Sequence, residues 1–284
     1  MKPFSPILRR ALFLSLVFLF LVITPAAVFY ASGYKLSNLS FVETGGLYIS
    51  VPISGAVVSI NGQDEQVTHL LSRSVYIPDL PPGKYAVDVT AEGYYTWHKN
   101  LVVEPKVVTD AGALLIPTDF AAVEILVGIK DSAVASSTRV VSRAEFNTLL
   151  DAFKKKPLAV LESEVEKPLE VENGKGLFVE NGSVIVRWQK NASSTPSSFC
   201  FIPSECAQEI VVKKAGKDKA ISAHFFARGV VYATERSGLF FAEIDVRQPQ
   251  LVVPLYQKRG VDFRIVGGSI IIKEGTRLYT VEGL

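Results

Sequence analysis

One stretch limits what this chain can fold into more than any other: Ala11 to Tyr30 (ALFLSLVFLFLVITPAAVFY), with no charged residue between Arg10 and Lys35. At about 1.5 Å of rise per residue, about 20 helical residues cover roughly 30 Å, the thickness of a bilayer's hydrocarbon core. Its Leu, Ile, Phe and Val residues, about thirteen at roughly −0.3 to −0.6 kcal/mol each, favour insertion by about 4 to 8 kcal/mol. Lys2, Arg9 and Arg10 precede the run, and the first acidic residue is Glu43. The positive-inside bias therefore predicts a cytoplasmic segment over 1–10, a transmembrane helix over 11–33 and an extracytoplasmic remainder. Pro25 is tolerated in a membrane helix and is expected to kink it.

A cleaved signal peptide is the competing reading, with Ala11 to Ile23 as its apolar core and Pro25-Ala26-Ala27 near a cleavage site. Against it, no A-x-A pattern stands there, and the apolar run continues to Tyr30, an aromatic suited to the outer interface. A retained anchor is the expectation, and either reading exports the rest of the chain. In an exported chain, the two cysteines, Cys200 and Cys206 in FCFIPSEC, predict a disulfide. On chain entropy it is worth about 2 kcal/mol. Two free thiols, or half a metal site, are the alternatives. A formal charge of +2, with Lys154-Lys155-Lys156 as the longest basic run, gives no electrostatic footprint for nucleic acid.

A polar stalk is expected over 34–45. Beyond it, short β-branched runs alternate with turn signals: Gly46 to Ser50, Ala56 to Ile60, the tight-turn pair Asn61-Gly62, then Val75 to Ile77 ended by Pro78. Pro81-Pro82-Gly83 reads as a rigid turn on a φ-permissive glycine, Lys84 to Thr90 alternates as a half-buried strand, and Gly93 leads into Tyr94 to Val103. Leu114 to Ile116 closes the unit before Pro117. About seven strands in about 75 residues predict a small β-sandwich over 46–117.

GLYISVPISGAVVSING followed by LPPGKYAVDVTAEGYYTW resembles the PEGA domain, an extracytoplasmic β-sandwich module of bacterial and archaeal surface proteins. Pro52, Gly55 and Ala56 before a strand, Asn61 and Gly62, Pro82 and Gly83 with Tyr85, and Gly93 with Tyr94 carry the resemblance. The eponymous tetrapeptide reads Pro52-Ile53-Ser54-Gly55-Ala56 here, and Thr68-His69 stands where the family has Thr-Pro. The resemblance implies a structural motif: none of these residues is a nucleophile or a base, so the module presents, spaces or binds.

Residues 118–174 read as a mixed α/β connection: a strand over Val123 to Val127, a flexible loop over Asp131 to Thr138, and a helix over 142–155. Ser142-Arg143-Ala144-Glu145 is a capping box, and Phe146, Leu149, Leu150 and Phe153 form one apolar face. The face is expected to bridge to a β-domain, with a membrane-surface helix as the alternative. From 175 to 284 the chain repeats strand, tight turn, strand at Gly176 to Trp188, Gly229 to Ile244 and Gly268 to Val281. Spacings of roughly 50 and 40 residues suit propeller blades, yet so short a stretch cannot supply a closed propeller. Either an open meander or sandwich, or a partial propeller that pairs with another chain, is expected. The fold class is thus mainly β behind an N-terminal transmembrane helix.

No residue pattern assigns catalysis, a cofactor or a metal. His69, His98 and His224 are isolated, no serine sits in a G-x-S-x-G elbow, and no Gly-rich loop opens a helix. Glu235, Glu243 and Asp245 are the carboxylates that would converge across a hairpin in a hydrolase. Tyr95 and Trp97, on one face of their strand, are candidate surfaces for stacking a sugar. The function expected is a non-catalytic protein of the bacterial envelope that binds or scaffolds cell-wall polymer or an envelope protein. An envelope hydrolase is the alternative; a sensor ectodomain is the third, weakened by a cytoplasmic segment of about ten residues.

Overall fold

The computed structural model describes residues 6–31, 33–37, 40–69, 72–128, 138–154, 168–189 and 195–284. Helix α1 (Pro6–Ala31) starts before the expected span and takes in Arg9 and Arg10; Pro6 sits in its first turn, where a missing N–H leaves nothing unpaired. No residue of α1 is buried. Among the described residues it is the one helix long and apolar enough to cross a membrane. The expected stalk is a hairpin of β1 (Tyr34–Ser37) and β2 (Ser40–Glu43). Lys106 ties it to the next unit, with Nζ 2.7 Å from Glu43 Oε1 and 5.0 Å from the Tyr34 ring centroid. The hydrogen bond from Lys106 holds the Glu43 carboxyl below the usual carboxylate range.

Seven strands come next: β3 (Gly45–Ser50), β4 (Val57–Ile60), β5 (Gln63–Val67), β6 (Ser74–Leu80), β7 (Gly83–Thr90), β8 (Trp97–Val103) and β9 (Val108–Gly112). They form two sheets, ordered β6-β3-β9 and β5-β4-β7-β8. Leu47, Ile49 and Ile77 from the first sheet join Val58, Val87 and Leu101 from the second in one core. Strand β6 does not stop at Pro78, because it is an edge strand and a proline there costs the sheet no ladder bond. Gly55, Gly62 and Gly93 adopt the positive φ expected of them, but Gly83 does not. It opens β7, and Asp79 (φ 59°) takes the left-handed position instead. Tyr94 to Thr96 are not strand: Tyr94 makes an isolated bridge to Pro117 before β8 begins.

Strands β10 (Ala121–Val127) and β11 (Thr138–Val141) pair in parallel and lead to α2 (Arg143–Ala152). Ser142 caps the helix by accepting from Glu145 N. Helix α2 is shorter than expected, ending at the Phe153 cap. Asp131 to Ser137, together with Lys155, Lys156 and Pro157, lie outside the described residues. The apolar face of α2 is packed against Ile125, Ile271 and Leu278, which leaves no face for a membrane surface.

The remaining strands build three arrays, two of them antiparallel and four-stranded and the third a five-stranded sheet that takes in β10 and β11. The first joins β12 (Glu170–Glu172), β13 (Lys175–Glu180), β14 (Ser183–Trp188) and, beyond the small hairpin of β15 (Cys200–Ile202) and β16 (Glu205–Cys206), β17 (Glu209–Lys213). Cys200 and Cys206 are disulfide-bonded across that hairpin. The second runs β18 (Ala220–Phe226), β19 (Gly229–Thr234), β20 (Gly238–Glu243), β21 (Val252–Tyr256). The third is β22 (Asp262–Val266), β23 (Ser269–Glu274) and β24 (Arg277–Glu282), completed by β10 pairing antiparallel with β24. The connecting segment is therefore part of the last sheet. Alternation along the middle sheet explains the stacking: Val230, Tyr232 and Ala242 pack toward the first array, while Val231, Ala233 and Phe241 join the third array and the seven-strand unit. Strand β19 is buried along its whole length as a result. Among the described residues no closed barrel or propeller forms.

Candidate functional site

Alternation along β8 puts Trp97, Lys99 and Leu101 on the core side, so a lysine stands where the pattern asks for an apolar residue. Lys99 is 0% exposed. Its Nζ lies 2.7 Å from Glu243 Oε2 and donates to the carbonyls of Arg247 (2.9 Å) and Pro249 (2.8 Å). Trp97, also 0% exposed, donates from Nε1 to Glu243 Oε1 at 2.7 Å, and Leu251 N donates to Oε2. Glu243, at 3% exposure, is thus filled with donors on both oxygens. Beside it, Arg247 grips Asp245 through Nε (2.9 Å) and Nη2 (2.7 Å), and its Nη1 donates to the carbonyl of Asp110. One buried ion pair, Lys99–Glu243, therefore joins β8 to the end of β20, while Arg247, paired with Asp245 inside the following loop, ties that loop to β9 through the Asp110 carbonyl.

Above this junction lies a cleft of about 300 Å³. The seven-strand unit contributes Ser50, Asp110 and Gly112, the first array Glu172, Asn173 and Lys175, and the β18–β19 turn Arg228; Glu243, Asp245 and Arg247 line it as well. Burial holds the Lys175 amine below the usual lysine range, with Glu172 opposing and the Arg228 charge adding to the shift. Among the described residues the Lys175 ammonium and the Arg228 guanidinium make no side-chain ion pair, and Glu172 is the carboxylate whose charge acts on Lys175.

No protein-family model matches this chain, nor does any curated protein.

Of the proposed stacking pair, Trp97 is inaccessible: it is the core anchor of β8 and its indole N–H is spent on Glu243. Tyr95 precedes the strand and is exposed, tilted against Phe120 at 6.4 Å between centroids. The three carboxylates do not converge. Glu235 sits in the β19–β20 turn, whereas Glu243 pairs with Gly229 at the open end, about 16 Å away by strand rise. The motif residues of the seven-strand unit are turn-builders. Asn61 brackets Ala86, donating from its N–H and accepting on Oδ1, and Tyr85 donates to Pro81 O. Thr68 Oγ1 accepts from Ala56 N and donates to Ile53 O, holding the Pro52–Ala56 loop. His98 pairs with Asp88, and His224 lies 3.7 Å from Glu170. Among the described residues no group of three His, Cys, Asp or Glu is placed to hold a metal. The cleft's Lys175 and Arg228 were missed in the sequence, where each reads as an ordinary hairpin charge.

Proposed function

We propose that this is a single-pass, membrane-anchored protein of the bacterial envelope, N-terminus cytoplasmic, whose extracytoplasmic body binds or scaffolds an envelope polymer or protein without catalysis. In this reading the seven-strand unit is a PEGA-like β-sandwich held close to the bilayer, and the three arrays are an open, partial-propeller-like repeat. The observation that carries it is α1, a long apolar helix with none of its residues buried, for which lipid is the one environment that matches its surface. The disulfide fits an oxidising compartment. Glu243 and Asp245, the carboxylates a hydrolase would use, are both buried and committed to cations, which favours a structural role for them.

The test has two parts. A tag fused after Leu284 is expected to be digested when protease is added to osmotically opened cells, and its protection would reject the orientation. The full chain in detergent is expected to retain cell-wall polymer or an envelope protein without consuming it; turnover abolished by Glu243→Gln or Asp245→Asn would establish the hydrolase instead.

A further inference from the structure

Three backbone hydrogen bonds in series lead from the end of α1 into the seven-strand unit: Gly33 N to Tyr30 O (3.1 Å), Thr44 N to Gly33 O (2.7 Å) and Lys106 N to Thr44 O (2.8 Å). Side chains brace the same joint. The rings of Phe29 and Tyr34 meet edge to face at 5.8 Å, and the Tyr30 hydroxyl donates to Asp79 near the end of β6 at 3.5 Å. From Ala31 to Tyr34 the chain covers at most about 10 Å even when extended. With α1 across a bilayer, the joint and the β8–β9 turn that carries Lys106 therefore stand at the level of the lipid headgroups.

The disulfide hairpin reaches that level from the other half of the body. Its chain starts beside the cleft, where Ser198 shares a wall with Asp110 and Gly112, and the short turn Ser197–Phe199 lies against β9. Because β9 runs parallel to β3, which leaves the joint, Asp110 and Gly112 are farther from the joint than Lys106 is. From there β15 follows β8 back until Ser204, in the hairpin's turn, donates from N (3.1 Å) and Oγ (2.6 Å) to Glu104, two residues before Lys106. The tip thus points toward the joint and the bilayer beyond it.

What the tip exposes is apolar. Phe201 is 44% exposed, and a register shift between Cys200 and Ile202 leaves no residue of β16 opposite it. Val107, in the β8–β9 turn, is 39% exposed. The charges nearby give no net pull on an anionic surface: Lys106 is held by Glu43, and Glu104 and Glu205 flank the tip. Two strands this short have no core of their own, and the Cys200–Cys206 bond closes them into a hairpin.

We propose that the tip of this hairpin, with Phe201 and the neighbouring Val107, rests in the headgroup layer of the bilayer that α1 spans, an apolar second contact that holds the arrays as well as the seven-strand unit against the membrane. The inference rests on the anchor reading above and adds a lipid contact outside the helix.

The experiment uses the full chain in phosphatidylcholine proteoliposomes containing lipid labelled with a nitroxide, either on the headgroup or deep in the acyl chain. It reads the quenching of a tryptophan placed by substitution in a Trp188→Phe background, in which the fully buried Trp97 adds a constant signal. Phe201→Trp is expected to lose at least about half of its added emission to the headgroup label, and Val171→Trp, beside the cleft-lining Glu172, less than about a tenth. Phe18→Trp reports insertion of α1 through the acyl-chain label. All three positions are exposed, so melting temperatures are expected within about 2 °C of the parent. Adding phosphatidylglycerol is expected to leave the quenching of Phe201→Trp unchanged.

Quenching at Phe18→Trp without quenching at Phe201→Trp overturns the inference and leaves the anchor standing; quenching at neither overturns both. Equal quenching of Val171→Trp and Phe201→Trp refutes the tip as the point of contact, and quenching that needs phosphatidylglycerol refutes an apolar one. Shielding of Phe201→Trp from aqueous iodide without quenching by labelled lipid would put a second copy of the chain on the tip, which also overturns the inference.

Discussion

Replacing Lys99 by methionine tests whether the junction holds the two halves of the body together. The side chain fits the same space, but the substitution removes the ion pair to Glu243 and strips a donor from the carbonyls of Arg247 and Pro249. Glu243 then keeps Trp97 Nε1 and Leu251 N as donors but has no counter-charge. Breaking one side of a buried ion pair costs about 3 to 5 kcal/mol, because the remaining charge stays out of water. For a body of this size each kcal/mol lowers the melting midpoint by about 2 to 4 °C, so Lys99→Met is expected to lose about 10 °C. Glu243→Gln is expected to cost a similar amount, since it leaves a buried ammonium facing only carbonyl oxygens.

The double variant Lys99→Met/Glu243→Gln decides the matter. With neither charge present, the glutamine oxygen still accepts from Trp97, and the pair is expected to cost less than the two singles summed by about 2 to 3 kcal/mol. The assay is thermal unfolding of the full chain in detergent followed by tryptophan fluorescence in a Trp188→Phe background. The chain has two tryptophans, so Trp97, bonded to Glu243 itself, is then the sole reporter. Single variants that each cost under about 1 kcal/mol and add within about 0.5 kcal/mol in the double would refute the argument that this pair holds the junction.

Three further outcomes are expected. Burial raises the Tyr232 hydroxyl to about 12, so the folded state holds a proton that the unfolded chain releases near pH 10; stability is intact below pH 10 and falls by about 2 kcal/mol by pH 12, and Tyr232→Phe should flatten that alkaline loss in pH-dependent melts. Cys200→Ser/Cys206→Ser should cost about 2 kcal/mol by differential melting and leave the far-UV spectrum unchanged, because the bond closes only a six-residue hairpin. Gly238→Ala should cost more than about 3 kcal/mol, or prevent folding as judged by soluble yield, since φ is +105° and an added Cβ would run into the Tyr256 carbonyl.

Where local chemistry decides the structure, the sequence was readable. The apolar run needs no tertiary partner to be a helix, Ser142 and Glu145 mark a cap whatever packs nearby, and Asn61-Gly62 adopts positive φ at both residues because few other pairs do so cheaply. Strands β5 (QDEQV) and β9 (VTDAG) were not readable, since edge strands with polar faces carry little periodic signal. Nor was the role of β10: a strand after one unit and before a helix gives no sign that its partner, β24, lies at the far end of the chain.

The junction was hidden for a deeper reason. Period two puts Lys99 on the same face as Trp97 but does not say which face is the core, so Trp97 reads as free to meet a ligand. The fold buries both, because the partner of Lys99 is Glu243, 144 positions later, and the indole donates to that same carboxylate. A buried charge is stable only with its counter-charge, and the counter-charge is a property of tertiary structure rather than of the strand that carries it. At the cleft, too, Lys175 and Arg228 look like ordinary hairpin charges in one dimension. Folding brings them to a shared wall with Asp110 and Glu172, and the charge of Glu172 acts on Lys175 against its burial. Charge that the chain pairs in its interior marks where its halves are joined, and no strand read by itself discloses the pairing.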